Sequence, residues 1–399
     1  MSNAIKSISI EGYKSIRKMD IELRPLNVLI GANGAGKSNF VSFFRLLHEI
    51  AERKLQSAAG VDGGADMLLH FGPKVTKQIW AKIWFGLCLY ELRLTATVDN
   101  RLMFTHEFAQ YQLPGEPPYP EDMGMGHFES RLKDYVDDTG GECHAGESHH
   151  VYEAMLKVVV YHVHDTSSLA GIRRQKAIND NEFLRQDGEN LAAFLFNLKQ
   201  TEPRAYQNIR DVVRLAAPFF DDFKLRPVTA NPELIQLEWT QVGSDYPFRP
   251  SQLSDGTLRF ICLATALLQP NPPATMLFDE PELGLHPYAL TLLASLFKQA
   301  AKSSGQVIVC TQSAALLNEF EPEDVIVVDR EDGQSTFRCL GRENLSEWLE
   351  NYGLGELWQK NIFGGRPHGE VESGPPESET PDAPPSEVPD GPPPGSNTP

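Results

Sequence analysis

The sequence predicts an α/β fold, a parallel sheet with helices on its faces, and three observations carry that prediction. An apolar run from Leu26 to Ile30 leads straight into Gly31-Ala32-Asn33-Gly34-Ala35-Gly36-Lys37-Ser38, after which Phe40, Val41, Phe43, Phe44, Leu47 and Ile50 recur at helical spacing. A second apolar run, from Thr275 to Phe278, ends in two carboxylates, Asp279 and Glu280. Around it the second half alternates: helix 258–268, strand 275–278, helix 287–301, strand 306–310, helix 314–320, strand 324–328. Strands separated by helices of that length form parallel sheets.

The remaining elements follow in chain order. Residues 7–10 read as a strand, residues 78–98 alternate fairly as β-strands (Ile79, Ala81, Ile83, Phe85, Leu87), and 102–111 continues them. The stretch 112–127 reads as turn-rich loop, 128–138 as a short polar helix and 140–150 as a flexible, His-rich connector ahead of a strand at 158–163. No sustained heptads occur, so any arm between the two core halves is compact, with no long coiled coil. Residues 346–360 read as a last helix with Trp348, Leu349, Tyr352 and Trp358 on or near one face, a packing surface in preference to a base-stacking one.

Beyond residue 364 the chain turns to Pro, Gly, Ser and acid, a composition that buries too little apolar surface to offset its ordering entropy. The expected organisation of the 399 residues is one domain over 1–364, with core halves at about 1–112 and 225–340, a compact β-rich and helical insertion at about 113–224, and a disordered tail over 365–399. Of the net charge of −18, seven negative charges fall in Gly369–Pro399, which has no Lys or Arg, leaving −11 for the rest. An acidic body argues against a whole-surface nucleic-acid platform. The five cysteines, Cys88, Cys143, Cys262, Cys310 and Cys339, show no paired spacing and fit a reducing compartment. With no signal pattern and no apolar run of membrane-spanning length, the expectation is a cytoplasmic protein with no membrane contact.

The glycine loop matches G-x-x-x-x-G-K-S/T at every specified position, between a strand and a helix. Glycines let backbone N–H groups curl around phosphate oxygens, and a helix N-terminus adds free donors and a favourable dipole. Gly31, Asn33, Gly34, Ala35, Gly36, Lys37, Ser38 and Asn39 are therefore candidate ATP contacts, Lys37 on the β- and γ-phosphates and Ser38 on Mg²⁺. A tight turn would need neither the Lys nor the Ser. At the strand end, Asp279 suits a Mg²⁺ ligand and Glu280 a group that activates water; the bland alternative is an N-cap followed by first-turn acids. Leu253-Ser254-Asp255-Gly256-Thr257 alone is an ordinary capped helix start, but it precedes Asp279 by 25 residues, room for one helix and one strand.

Glycine loop, Ser-x-Gly element and Asp-Glu strand in that order resemble the ABC ATPase superfamily of P-loop NTPases. Leu253–Thr257 is similar to the ABC signature, and Asp279 to Pro287 (Asp-Glu-Pro-Glu-Leu-Gly-Leu-His-Pro) to the Walker B and following loop of the RecF, OLD and SMC-like branch. With Ile10-Glu11-Gly12-Tyr13-Lys14-Ser15-Ile16 these segments resemble the small AAA-type, ABC-like ATP-binding proteins of prokaryotic repair and defence operons. The resemblance covers roughly residues 1–50 and 225–330. It implies a head-to-tail homodimer in which Ser254 and Gly256 contact the γ-phosphate held by the partner's Lys37, with residues 282–284 and His286 at the interface. Gln312 stands where many relatives carry a switch histidine. Gln donates a hydrogen bond but carries no charge, which implies slow or partner-dependent hydrolysis. The expected output is a DNA-linked ATPase of repair or defence; the alternative is a dimer that regulates a separately encoded effector protein without touching DNA.

Two weaker signals remain. Gln175, in Arg173-Arg174-Gln175, is the candidate for the family's Q-loop glutamine, although the two arginines read equally well as a solvated turn. Cys143, His144, His149 and His150 lack metal-ligand spacing, and His162, His164 and Asp165, with both histidines on one strand face, read as histidines near the nucleotide site more readily than as a metal set.

Overall fold

The protein is described by a computed structural model covering residues 4–113, 115, 117–134, 147–303, 305–341, 345–349 and 351–365. The tail expected to be disordered, apart from Gly365, and the Cys143–His144 pair lie outside the described residues.

The central sheet contains β3 (Leu26–Ile30), β8 (Val158–Tyr161), β14 (Thr275–Asp279), β15 (Gln306–Thr311), β16 (Val325–Glu331) and β17 (Gln334–Cys339) in the order β17-β16-β3-β15-β14-β8. All neighbours run parallel except β17, which pairs antiparallel with β16. Every residue of β3 and β15 is buried, as expected of strands covered on both faces. The period of two sorts their side chains. Val28, Ile30, Met276, Phe278, Val307 and Val309 pack with the helices Leu191–Thr201, Pro203–Ala216, Asp255–Leu268 and Pro287–Ser303. Leu29, Leu277, Ile308, Cys310 and Val328 pack on the other face, against the helix Lys37–Ala51 and a second sheet.

That second sheet is antiparallel and six-stranded, in the order β2-β1-β4-β5-β6-β7: β1 (Ile5–Tyr13), β2 (Ile16–Glu22), β4 (Gln78–Phe85), β5 (Cys88–Ala96), β6 (Leu102–Tyr111) and β7 (Tyr119–Gly124). Because β15 lies between β3 and β14, with Ile30 beside Thr311 and Asp279 beside Cys310, the ends of all three strands open at one edge of the central sheet. Such an edge is where α/β sheets hold ligands.

Several local expectations are corrected. Residues 112–127 are not all loop, because β7 forms the sheet edge; Pro120 lacks an N–H donor, and an edge strand tolerates that where a central one does not. His149 and His150 belong to a helix, Glu147–Leu156, and not to a flexible connector. The last helix is broken into Ser346–Leu349 and Leu354–Gln359, since the Asn318 side chain takes the Gly355 N–H (2.6 Å) and leaves no room for a Cβ at Gly353. Of the polar helix expected at 128–138, only 132–134 is helical among the described residues. The stretch 113–224, expected as an insertion, also supplies β8, the edge of the central sheet, and two helices on its face. Among the described residues the longest helix has 17 residues, and none is long and apolar enough to cross a membrane.

Candidate active site

The glycine loop bends through left-handed backbone at Gly34 (φ 80°) and Gly36 (φ 120°). Glycine relieves two constraints here. A Cβ on Gly36 would overlap the Ser335 hydroxyl and one on Gly31 the Val328 carbonyl, so the loop lies directly on β16 and β17. A chain of polar contacts braces its back: Asn39 Nδ2 donates to Ser15 Oγ (2.6 Å), Ser15 Oγ meets Ser335 Oγ (2.6 Å), and Ser335 Oγ donates to the Ala35 carbonyl (2.6 Å). Asn39, expected at the nucleotide, thus turns its amide toward Ser15. Arg330 Nη1 donates to the Gly34 carbonyl (3.2 Å).

The helix that follows starts at Lys37 with no capping side chain and no acid in its first turn. Its free N–H groups and positive dipole end are left uncompensated, a ready anion site. Lys37 is 6% exposed, and its ammonium donates to the Gly31 (2.5 Å) and Ala32 (3.0 Å) carbonyls. Burial pushes its pKa down, while Cys310, Glu280, Asp279 and Glu282 pull the other way. Ser38, Asn33 and Gly34 are exposed.

Across the sheet edge, the Asp279 side chain is 9% exposed and its Oδ2 lies 3.6 Å from His162 Nδ1. Its carbonyl accepts from His164 Nε2 (2.9 Å). Glu280 has φ 45°, a left-handed conformation unusual for a side-chain-bearing residue and held by its N–H on the Cys310 carbonyl (2.8 Å). Its Oε1 accepts from Gln312 Nε2 (2.6 Å). Glu282 Oε1 accepts from Thr311 Oγ1 (2.7 Å) and the Gln312 N–H (3.0 Å), while its Oε2 is buried without a partner among the described residues. Burial raises the Glu282 pKa. Strand order therefore brings Lys37, Asp279, Glu280 and Gln312 together at the ends of β3, β14 and β15.

Ser254 and Gly256 lie elsewhere. Ser254 is exposed and caps the helix Asp255–Leu268, accepting from the Thr257 N–H (3.1 Å) and meeting Thr257 Oγ1 (2.8 Å). A Cβ on Gly256 would overlap the Gly284 carbonyl, so this helix start is pressed on the 282–286 loop. Among the described residues no hydrogen bond joins Ser254 or Gly256 to the glycine loop.

Two arginines fix this region. Arg173 is buried, donating to the Thr166 carbonyl (2.7 Å), Asp255 Oδ1 (2.7 Å) and the Pro250 and Leu253 carbonyls, which rules out the solvated turn for it. Arg259 donates to the Val163 (2.7 Å), His164 (3.1 Å) and Leu283 carbonyls. The only hint of Arg259 in the sequence was a lone cation in an apolar helix. Gln175 is exposed, and the side chains from this part of the chain that stand beside Asp279 are His162 and His164. The hint there was two histidines at i, i+2 closing a strand.

Comparison with known proteins finds AAA-type ATPase profiles and SMC head folds. A family profile described as "AAA ATPase domain" matches residues 4–138, and one described as "AAA domain, putative AbiEii toxin, Type IV TA system" matches residues 151–318. Among solved structures, the chain is similar to an SMC head bound to the C-winged helix domain of ScpA, at 16% identity and a TM-score of 0.56, covering 86% of this chain and 99% of that one. It is also similar to an Smc head domain with an extended coiled coil bound to the C-terminal domain of ScpA derived from Pyrococcus furiosus, at 18% identity and a TM-score of 0.53, covering 87% of this chain and 98% of that one. At these identities the likeness is one of fold. No curated protein matches the sequence.

Proposed function

We propose that this AAA/ABC-type ATPase of the SMC-like branch converts ATP to ADP and phosphate at its glycine loop, and that a second copy completes each site with Ser254 and Gly256. The observation that carries the reading is the meeting of Lys37, Asp279, Glu280 and Gln312 beside a helix N-terminus with no acid of its own. Loop N–H groups from Gly34 to Ser38 cradle phosphate oxygens. Lys37 exchanges the Gly31 and Ala32 carbonyls for the β- and γ-phosphates, charge-assisted bonds that are stronger than those it gives up. Glu280, with Oε1 held by Gln312, keeps Oε2 to take a proton from the attacking water. Gln312 orients that carboxylate but brings no positive charge to the γ-phosphate, which supports slow or partner-dependent turnover.

A divalent cation fits the site, since Asp279 is a nearly buried carboxylate and the neighbouring His162 Nδ1 is buried with no hydrogen bond among the described residues. Ser38 and Asp279 would hold Mg²⁺, which supplies charge neutralisation at the phosphate oxygens. Dimer formation is supported by Ser254, whose exposed hydroxyl can turn from Thr257 Oγ1 to an acceptor outside its own helix. Glu280→Gln is the test. Turnover is expected to fall about 10²- to 10⁴-fold with ATP binding retained, and ATP is expected to double the mass in light scattering. A variant that stays monomeric at saturating ATP sinks the shared site.

The family name that ties residues 151–318 to a type IV toxin–antitoxin system supports a role in defence or the related business of DNA repair. The net charge of −18 favours a second reading of the output, in which the dimer controls a separately encoded effector without touching DNA. DNA binding by the ATP-locked Glu280→Gln protein at low salt separates the two, because phosphate contacts strengthen as salt falls.

A further inference from the structure

We propose that the cation site beside Asp279 has a nitrogen ligand, His162, and so prefers manganese- and cobalt-class divalent ions to magnesium. This rests on the reading of Asp279 as a metal ligand given above.

The placement follows from the sheet. β8 runs parallel to β14 with Tyr161 beside Phe278, so the chain leaves β8 at His162 just where β14 reaches Asp279. The backbone of this exit is held: the His162 N–H donates to the Gln186 carbonyl (2.9 Å), and Arg259 grips the next two carbonyls, those of Val163 and His164. His162 and His164 stack, ring centroids 3.7 Å apart at 28°. His164 Nε2 lies 2.9 Å from the Asp279 carbonyl, an acceptor, so that nitrogen carries a proton and His164 serves to steady the strand end and its neighbour's ring.

His162 is different. Its Nδ1 is buried with no hydrogen-bond partner among the described residues, although it lies 3.6 Å from Asp279 Oδ2. That is too long for a hydrogen bond, so the two atoms do not satisfy each other. It is the right separation for two donors on one ion, because ligands about 2.1 Å from a shared cation at 90° to 120° lie about 3.0 to 3.6 Å apart. One donor atom from each of His162, His164 and Asp279 falls within 4.8 Å of the others.

The donor type sets the preference. Mg²⁺ favours oxygen and keeps its waters, whereas imidazole suits the later first-row ions, whose affinity rises from Mn²⁺ through Co²⁺. A nitrogen here shifts the balance toward those ions while leaving the oxygen ligands to serve Mg²⁺.

The experiment uses Mn²⁺ as probe on the full chain with bound ATP, read by electron spin-echo envelope modulation with and without ¹⁵N-labelled histidine. An imidazole nitrogen coupling that changes with the label is expected, and His162→Gln should abolish it. The same substitution should weaken Mn²⁺ binding at least tenfold and alter Mg²⁺ binding less than twofold, measured by calorimetry. Bound Mn²⁺ without histidine coupling in the unsubstituted protein overturns the proposal, and needs no variant to fold. So does a His162→Gln protein that keeps the coupling or loses Mg²⁺ and Mn²⁺ affinity alike. Failure of ATP to bind in the presence of any of these ions would instead refute the nucleotide site itself, together with this proposal.

Discussion

Two helices of this chain begin at glycine-bearing turns, and their first turns are finished in opposite ways. The helix Lys37–Ala51 has no capping side chain and no acid in its first turn, and among the described residues a Cβ on Gly34 would meet nothing within 4 Å. The helix Asp255–Leu268 is capped by Ser254, carries Asp255 in its first turn and is tied through it to Arg173. The first leaves N–H groups and dipole uncompensated beside open space, which suits it to hold an anion. The second is already satisfied electrostatically. It offers a hydroxyl and a closely packed glycine edge, which is enough to complete a phosphate site but not to create one. The difference fits the proposed shared site, in which the two starts are unequal halves of one device.

The sharpest way to break this comparison is to disable each half separately. Lys37→Ala removes charge-assisted bonds worth about 1.5 to 3 kcal/mol and should weaken ATP binding by about 10- to 100-fold, read by calorimetry. Ser254→Arg should leave ATP binding by the chain nearly unchanged while abolishing turnover. A mixture of the two inactive proteins should regain activity, since a mixed dimer has one site with an intact Lys37 and an intact Ser254. A mixture as dead as its components would mean that each chain completes its own site.

How much of this was legible beforehand depends on sequence distance. The glycine loop, the Asp279–Glu280 pair and the Ser254–Gly256 element are local patterns, each readable within about ten residues. What braces and joins them is not local. Ser335 bonds the Ala35 carbonyl from 300 positions away, and His164 reaches the Asp279 carbonyl across 115. Pairings of that range depend on strand order, which no local periodicity reveals. Arg173 was misread as a possible solvated turn because its partners are mostly backbone carbonyls, which leave no mark on composition. β7 was hidden by prolines that argue against a strand everywhere except at an edge. The parallel sheet was readable because its strands are continuous apolar runs separated by helices.

A smaller effect sharpens the contrast at the level of packing. Gly256→Ala forces a methyl against the Gly284 carbonyl, and overpacking of this kind costs about 1 to 3 kcal/mol. Gly34→Ala meets open space and costs only the left-handed backbone of its φ of 80°, about 1 to 2 kcal/mol. Urea unfolding without nucleotide should therefore show Gly256→Ala as no more stable than Gly34→Ala, whereas ATP binding should suffer more in Gly34→Ala. The reverse order would mean that the signature glycine is not a packing residue.

The smallest predicted effect concerns the buried acid behind the glycine-loop half. Burial raises the pKa of Glu282, with the nearby Glu280 carboxylate acting in the same direction against hydrogen bonds from Thr311 and Gln312. A raised acid costs stability once it ionises in the folded state. That cost is absent below the unfolded carboxyl value, about 4.3, and complete above the raised folded one. Glu282→Gln cannot ionise, so the unsubstituted protein should gain stability relative to the variant as pH falls from 8 toward 4, measured as the gap between their urea midpoints. A gap that stays constant over that range would show that Glu282 is solvated like a surface acid. The glycine-loop half would then be less dry than the burial of Glu282 implies, and its contrast with the capped signature helix would rest on the helix start alone.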